Sequence, residues 1–359
     1  MLTSSASDGS SVAGESRASR SARVAIVTTS FPRGEGDASG HFVLSHARAL
    51  AQNGEHVTVL AAGDAPRTSA GLWSNDAIVQ GKMIDVRWLG GGDAFGWPGV
   101  SARVAERPER LITALSFPLR AAAALRGFDR VVAHWIVPCA FPSALAARDV
   151  EVWAHGADVR LLSRSPRSAR LVVRALLSRG ARFVFVSSAL RDGFAALLSP
   201  GLKARLLASS RVEAAPIEVP ARASMTPPAG VRGPYVVWVG RLIPEKRPLL
   251  AAKLAAEAKR DIFFVGDGPL SLPLPAKSLG RLPRAEALRY IAFADALVST
   301  SLDEGSPTVV REARALGTRV IAFPAGDLAE KSKKDLGITL VHDDAAFVAA
   351  LRANSQPRT

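Results

Sequence analysis

Two glutamates eight residues apart, Glu304 and Glu312 in the run EGSPTVVRE, are the side chains whose spacing first suggests shared chemistry. Between them Gly305, Ser306 and Pro307 are residue types that end a loop and begin a helix, with Ser306 suited to the N-cap and Pro307 to the first turn. Such a helix start leaves backbone N–H groups free, and these together with the helix dipole stabilise an anion. A phosphate held there has a carboxylate on either side to accept sugar hydroxyls. The plainer reading is a helix whose acids offset its dipole or pair with Arg311 or Arg314. The pair alone leaves both readings open.

Upstream, VGRLIPEKRP sets Arg241 just past an apolar run, with Lys246 five residues on. Two fixed cations at a strand end neutralise a departing diphosphate, work that other folds give to magnesium. Alternatively they are solvated loop charges. VGDGP, residues 265–269, is an apolar run ending in a tight turn, which suits backbone approaching a flat base and equally suits a turn alone.

These residues need strands and helices to position them. Apolar β-branched runs VAIVTT (24–29), HVTVLAA (56–62), MIDVRWL (83–89), RVVAHW (130–135), EVWAH (151–155) and RFVFVSS (182–188) alternate with helical stretches near 41–52, 114–126 and 161–179. The order predicts a parallel sheet covered on both faces. Residues 213–234 carry five prolines and little periodicity, which marks a linker. The rhythm then restarts with YVVWVG (235–240), DIFFVG (261–266), DALVST (295–300) and RVIAF (319–323). The expected organisation is a disordered tail over 1–22, a larger doubly wound α/β domain over 23–212, the linker, and a smaller one over 235–359. Ligands of open α/β folds bind at the carboxyl ends of the strands, here a cleft between two such domains.

Taken in order, GRLIPEK, FVGDGP, LGRLPRAEALRYIAFADALVSTS and EGSPTVVREARALG resemble the retaining glycosyltransferases of family 4, whose fold is GT-B and whose signature is the E-x7-E pair. SFPRGEGDASGHFVLSHARALAQNGEHVTVLAAG resembles that family's first strand, glycine loop and helix, and AHWIVP and WAHGADVRLL its acceptor-side segments. The resemblance covers roughly residues 23–326. It implies that Arg241 and Lys246 bind the donor diphosphate with the backbone of Ser306, Pro307 and Thr308, next to Gly305. It implies that Glu304 contacts the transferred sugar and Glu312 the ribose hydroxyls. Backbone at Gly266–Gly268 and Gly280–Leu282, including Arg281 and Leu282, would border the base. His155 matches the family's histidine beside the donor sugar; a satisfied strand-end histidine is the plain alternative. Gly34, Gly36 and Gly40 would face the diphosphate and acceptor. The implied reaction is front-face transfer with retention, the leaving phosphate taking the acceptor's proton, with no protein nucleophile.

The chain departs from the family pattern in three places. APIEVP stands for a Pro-Asn-Gly-Val-Asp-like segment, and PAGDLAEK lacks a Gly-Gly. A last helix near Ala345–Ala353 closely precedes Thr359, so the family's crossover helix back to the first domain is expected to be missing.

Other classes compete. GEGDASG is G-x-G-x-x-x-G, one residue off a dinucleotide fingerprint, and Asp64 follows the second strand as a ribose-binding acid would, which describes a nicotinamide oxidoreductase but leaves the second half unexplained. A nucleotide-sugar epimerase and a non-catalytic sugar-nucleotide-binding or scaffold protein are the others.

Bulk properties narrow the field. The 359 residues are 48% hydrophobic and 22% charged, ample for two domains. No run of about 18 uncharged apolar residues predicts a spanning helix, and the Ser/Gly/Ala-rich start lacks a signal-peptide core. The single cysteine, Cys139, forms no internal disulfide and fits a reducing cytoplasm. The net charge of +14 comes mostly from Arg and implies anionic partners: a nucleotide sugar, or the inner membrane face as a peripheral contact. Zinc-ligand spacing, HExxH, Walker A and nucleic-acid motifs are missing from the sequence, so neither metal nor cofactor nor nucleic acid is expected beyond a nucleotide-diphosphate sugar and a saccharide or lipid-linked acceptor. Acceptor contacts are expected from the loops 66–82 and 90–110.

Overall fold

The computed structural model describes residues 21–353 apart from 35, 38, 65–83, 92–93, 96–102, 104–105, 232 and 274–275. Nearly all of the expected tail, the loop 66–82 and much of 90–110 lie outside the described residues.

The first half holds strands β1 (Arg23–Thr28), β2 (His56–Ala61), β3 (Ile84–Trp88), β4 (Arg130–His134), β5 (Val150–Ala154), β6 (Arg182–Phe185) and β7 (Ser210–Val212). Its helices are α1 (His41–Gln52), α2 (Arg110–Ala124), α3 (Ala157–Ser163), α4 (Pro166–Ser178), α5 (Ser188–Ala195) and α6 (Pro200–Ala208). The second half holds β8 (Val236–Val239), β9 (Ile262–Val265), β10 (Lys277–Ser278), β11 (Ala296–Ser299), β12 (Arg319–Ala322) and β13 (Ile338–Leu340). With them are α7 (Pro248–Glu257), α8 (Arg284–Phe293), α9 (Thr308–Ala315), α10 (Leu328–Lys331) and α11 (Asp344–Ala353).

Every ladder between the described strands is parallel, and an isolated antiparallel bridge joins Gly63 to Gly90. The sheets run β3-β2-β1-β4-β5-β6-β7 and β10-β9-β8-β11-β12-β13. Parallel strands need crossovers, and the helices on both faces explain why the strands read as continuous apolar runs. On β1, Ala25 and Val27 pack with Phe117, Ile136 and Leu176, while Val24 and Ile26 pack on the other face with Val43 and Val59. On β8, Val236 and Trp238 meet Leu254, Phe264 and Phe347, while Val237 faces Leu288, Val310 and Ala313.

Two details differ from expectation. The helix expected over 161–179 is two helices, because Ser165 caps α4 by accepting from the Ser168 N–H at 3.3 Å and Pro166 at its first position offers no N–H to prolong α3. The two- and three-residue strands β7, β10 and β13 carry too few residues to show a periodicity. Between Val212 and Val236 no strand is present among the described residues.

Both strand orders reverse at the first strand of the half, between β1 and β4 and between β8 and β11. Loops on either side of such a point leave in opposite directions and open a crevice at the carboxyl ends. The two crevices face each other, and several contacts bridge them. Arg281 donates to Asp37 at 2.6 Å, Arg160 to Asp303 at 3.0 Å, and the Arg284 N–H to the Gly36 carbonyl at 3.2 Å. The loop after β11 also abuts the first half: a Cβ added to Gly305 would sit 2.5 Å from the His155 carbonyl oxygen and 2.9 Å from Val186 Cγ2. Neither backbone can give way easily. Gly305→Ala is expected to cost about 1–3 kcal/mol of stability, measured as a shift in urea midpoint; an unchanged midpoint would show that the halves separate freely there.

Candidate active site

A cavity of about 330 Å³ lies where the two crevices meet, lined by Ser39 and His41 from the first half and by the strand ends and helix starts of the second. This is within the usual size range for small-molecule sites. It brings together nine of the residues singled out from sequence: Arg241, Lys246, Gly266, Arg281, Leu282, Glu304, Pro307, Thr308 and Glu312.

Arg241 directly follows β8, and Lys246 ends a 3-10 turn over Pro244–Lys246. That turn is tied down by Thr300, whose hydroxyl donates to the carbonyls of Lys246 and Arg247 (both 2.9 Å) and accepts from Trp238 Nε1 at 3.2 Å. Burial disfavours the Arg241 charge, and the neighbouring Arg160 adds to it; Glu245 and Glu304 offset this only in part, so its pKa falls below the usual guanidinium value. An anion beside Arg241 would relieve that imbalance. Lys246 donates to the Glu304 carboxylate, so the cation and the acid are held as one pair.

Glu312 is 6% exposed, and its carboxylate cannot remain ionised there without partners. Arg284 Nη2 donates to Oε1 at 2.7 Å, and His41 Nε2 lies 3.1 Å from the same oxygen. Burial pushes the carboxyl up, but His41 and then Arg284 outweigh it and hold it below the ordinary range. These partners correct the plain sequence reading, which offered Arg311 or Arg314; Arg314 instead donates to Asp335 at 2.8 Å.

The helix start also differs. Pro307, not Ser306, occupies the cap of α9, and no side chain caps it. The Ser306 hydroxyl lies one residue earlier and accepts from Lys331 at 3.0 Å. Pro307 has no N–H, so of the three residues expected to assist a phosphate only Ser306 and Thr308 can donate.

Other expected residues stand off the cavity wall. Gly268 lies against Leu242, and Gly36 against Pro283; Gly40 starts α1 in the left-handed region (φ 66°). Gly305 spends its surface on the contact with His155. The Gly266 N–H donates to the Gly280 carbonyl at 2.7 Å, which joins the two turns expected to border a base.

His155 stands behind the cavity. Its ring does not line the cavity; Nε2 pairs with Nδ1 of His134 at 2.9 Å, and Phe42 covers it with ring centroids 4.8 Å apart. His134 Nε2 pairs in turn with His46 Nδ1 at 3.2 Å. Burial holds all three neutral, lowering His46 to about 4 and His155 to about 3 and pushing His134 well below 6.5.

Sequence reading missed several residues that build the site. Asp158 accepts the N–H of Ile136 at 2.7 Å, of Gly156 at 3.0 Å and of His155 at 3.2 Å, so one buried carboxylate fixes the loops after β4 and β5. Its pKa is raised, burial outweighing those donors. Asp37 binds the Arg33 and Ser39 N–H groups as well as Arg281, and so shapes the glycine loop together with Gly40, where a Cβ would collide with the Ser30 carbonyl oxygen. The HGAD run, with an acid three residues after its histidine, held a signal for Asp158.

Two facing parallel-sheet halves with this strand order and a cleft at both switch points are the GT-B fold. Residues 233–355 match the model of the family described as glycosyl transferases group 1. Over 214 residues the chain is 28% identical to TuaC of Bacillus subtilis (strain 168), assigned by its name to teichuronic acid biosynthesis as a glycosyltransferase; the match takes in 55% of this chain and 54% of that protein. The chain thus spans about half the length of this curated relative. Among solved structures, sucrose-phosphate synthase from Thermosynechococcus elongatus superposes with TM-score 0.61 at 18% identity, covering 92% of this chain and 89% of that one. Anabaena HepE in complex with UDP-glucose superposes with TM-score 0.61 at 16% identity, covering 93% of each. Among the described residues no helix is long and apolar enough to cross a membrane.

The neutral histidines make stability depend on pH. Unfolded, each takes a proton near 6.5; folded, His46 does so only near 4 and His155 near 3. Between those values the unfolded chain binds more protons, so stability is complete above about pH 6.5 and falls as pH is lowered, by up to about 1.4 kcal/mol per pH unit for each group. Glu312 adds to the loss below its ordinary 4.5. Urea midpoints from pH 7 to 4 should fall, and fall less in His46→Asn; a flat profile would contradict the buried neutral rings.

Proposed function

We propose that this protein transfers a glycosyl group from a nucleoside-diphosphate sugar to an acceptor hydroxyl, with retention of configuration, in the assembly of a polysaccharide or glycolipid. The observation that carries the reading is the convergence of Arg241, Lys246, Glu304, Glu312 and the α9 N-terminus on one cavity at the carboxyl ends of the second sheet. The family match over 233–355 covers that half, and HepE, of like fold, was solved with UDP-glucose.

In this reading Arg241, Lys246 and the free N–H groups at Thr308 and beyond hold the diphosphate, and they stabilise it more as it departs and gains charge than before. Glu304, oriented by Lys246, accepts hydroxyls of the transferred sugar. Glu312 accepts ribose hydroxyls through the oxygen that Arg284 and His41 leave open. Gly266 and the Gly280–Leu282 turn border the base. No protein group within this cleft need act as nucleophile, since the acceptor can attack from the face the phosphate leaves and pass its proton to that phosphate.

An anionic membrane surface is proposed as a peripheral contact. On α2, Ile112 is 75% and Leu119 71% exposed, with Leu111 and Leu115 also exposed and Arg120 next to Leu119, an apolar stripe with a basic neighbour.

Thermal shift against UDP-, GDP- and ADP-sugars identifies the donor, since ligand bound only to the native state raises Tm. With that donor labelled, wild type should release or transfer sugar, and Arg241→Ala and Lys246→Ala should each lower kcat/KM by about 10²–10³. Near-normal turnover by both variants would end the proposal. Tight binding without turnover would favour a sugar-nucleotide-binding role.

A further inference from the structure

Half of the six histidines stand in one line through the first half. They come from three elements: His46 from the middle of α1, His134 from the end of β4, and His155 from the residue after β5. Sheet order places them together, not sequence proximity. Nδ1 of His46 lies 3.2 Å from Nε2 of His134, and Nδ1 of His134 lies 2.9 Å from Nε2 of His155. The His134 and His155 planes differ by only 14°, so an N–H on one ring and a lone pair on the other share a plane. His46 meets His134 at 82°, pinned by Trp153 at 4.8 Å between centroids. Among the described residues no hydrogen bond reaches the two outer nitrogens, Nε2 of His46 and Nδ1 of His155.

A neutral imidazole carries one N–H and one lone pair. Each of the two short contacts therefore needs one hydrogen between its nitrogens. If His46 donates from Nδ1, His134 accepts on Nε2 and must carry its own hydrogen on Nδ1; His155 then accepts on Nε2 and carries its hydrogen on Nδ1. If His134 instead donates from Nε2, its Nδ1 is bare, and His155 must donate from Nε2. Only two arrangements satisfy both contacts: three Nδ1–H rings, or three Nε2–H rings. The first leaves His155 with a donor at its outer nitrogen, the second with an acceptor.

We propose that His46 and His134 are positioning residues that lock the tautomer of His155 to their own, so that the hydrogen-bonding character of its outer nitrogen is set together with that of the far end of a three-ring chain. Burial favours such a device because the switch between its two states moves no net charge into the interior. Asp158 assists by holding the His155 backbone. The consequence for catalysis rests on the reading of the cleft as a donor site, since His155 adjoins it only through its contact with Gly305.

The test uses the full chain labelled with ¹⁵N in its histidine rings. Long-range ¹H–¹⁵N correlation at pH 7 should show His46, His134 and His155 neutral and in the same tautomer. His46→Phe, which keeps a ring beside Trp153, should shift His155 towards a mixture of tautomers; His46→Asn, whose amide reaches the Nδ1 position, should restore the single form. Unlike tautomers in the wild type, or a His155 signal untouched by both His46→Phe and His134→Phe, would overturn the lock. Should the Phe variants fail to fold, the wild-type spectrum still decides. With a turned-over donor, kcat should fall about tenfold in His46→Phe, as the loss of one neutral hydrogen bond in the transition state would give, and recover in His46→Asn. A uniform tautomer without any turnover would uphold the lock and sink the transferase reading; turnover with mixed tautomers would do the reverse.

Discussion

Everything at the cleft depends on keeping a buried carboxylate ionised where the two sheets meet. Glu312 sits on α9 of the second half, Arg284 begins α8 of the same half, and His41 begins α1 of the first. Removing a carboxylate from water costs several kcal/mol unless it is paired. Arg284 supplies the pairing at 2.7 Å and also reaches the Glu218 carbonyl at 2.7 Å in the segment joining the halves. One guanidinium thus ties the acid of the site to the connection between the sheets. His41 adds the first half to the same group at 3.1 Å. Domain approach and the charge state of the site are therefore one problem, solved by one cluster.

The remaining charges follow a similar economy. Lys246 and Glu304 satisfy each other, Lys331 bridges Asp327 at 2.7 Å and Ser306 at 3.0 Å, and Arg160 is held by Asp303. Arg241, like Arg311 and Lys331, is a cation whose surroundings disfavour its charge on balance, and it lines the cavity. A diphosphate entering beside it would gain from that imbalance without breaking the Lys246–Glu304 pair. The α9 terminus faces the same space with N–H groups that no side chain caps.

Much of this was legible from the residues, for a definable reason. Strands buried on both faces must be apolar throughout, so VAIVTT, RVVAHW and YVVWVG announce themselves, and a charged residue just past such a run falls at the carboxyl edge of the sheet. Arg241, with Lys246 five residues on, stands out that way, whereas Glu304 and Glu312 stand out by their spacing across a loop-to-helix entrance. Partnerships across the cleft were not, because nothing local encodes them: Arg281 and Asp37 are 244 residues apart and Arg160 and Asp303 are 143 apart. The cap of α9 was misplaced by one residue because Ser and Pro both suit a helix entrance, and only the loop path decides which sits at the boundary. The break at Ser165 was legible in principle, since Ser-Pro within a helical stretch is a cap followed by a first-turn proline.

The two sheets share a strand order but divide the physics between them. The second half places fixed charges around its switch point, whereas the first, besides Asp37, Asp158 and Arg160, packs neutral rings behind its own: His134 at the end of β4, His155 after β5, with Phe42 and Trp153 around them. Charged rings there would add further desolvated ions to a crevice that already holds the buried Asp158 carboxylate, each costing several kcal/mol unless paired. Rings that stay neutral avoid this, and they still offer hydrogen bonds whose direction other rings can fix.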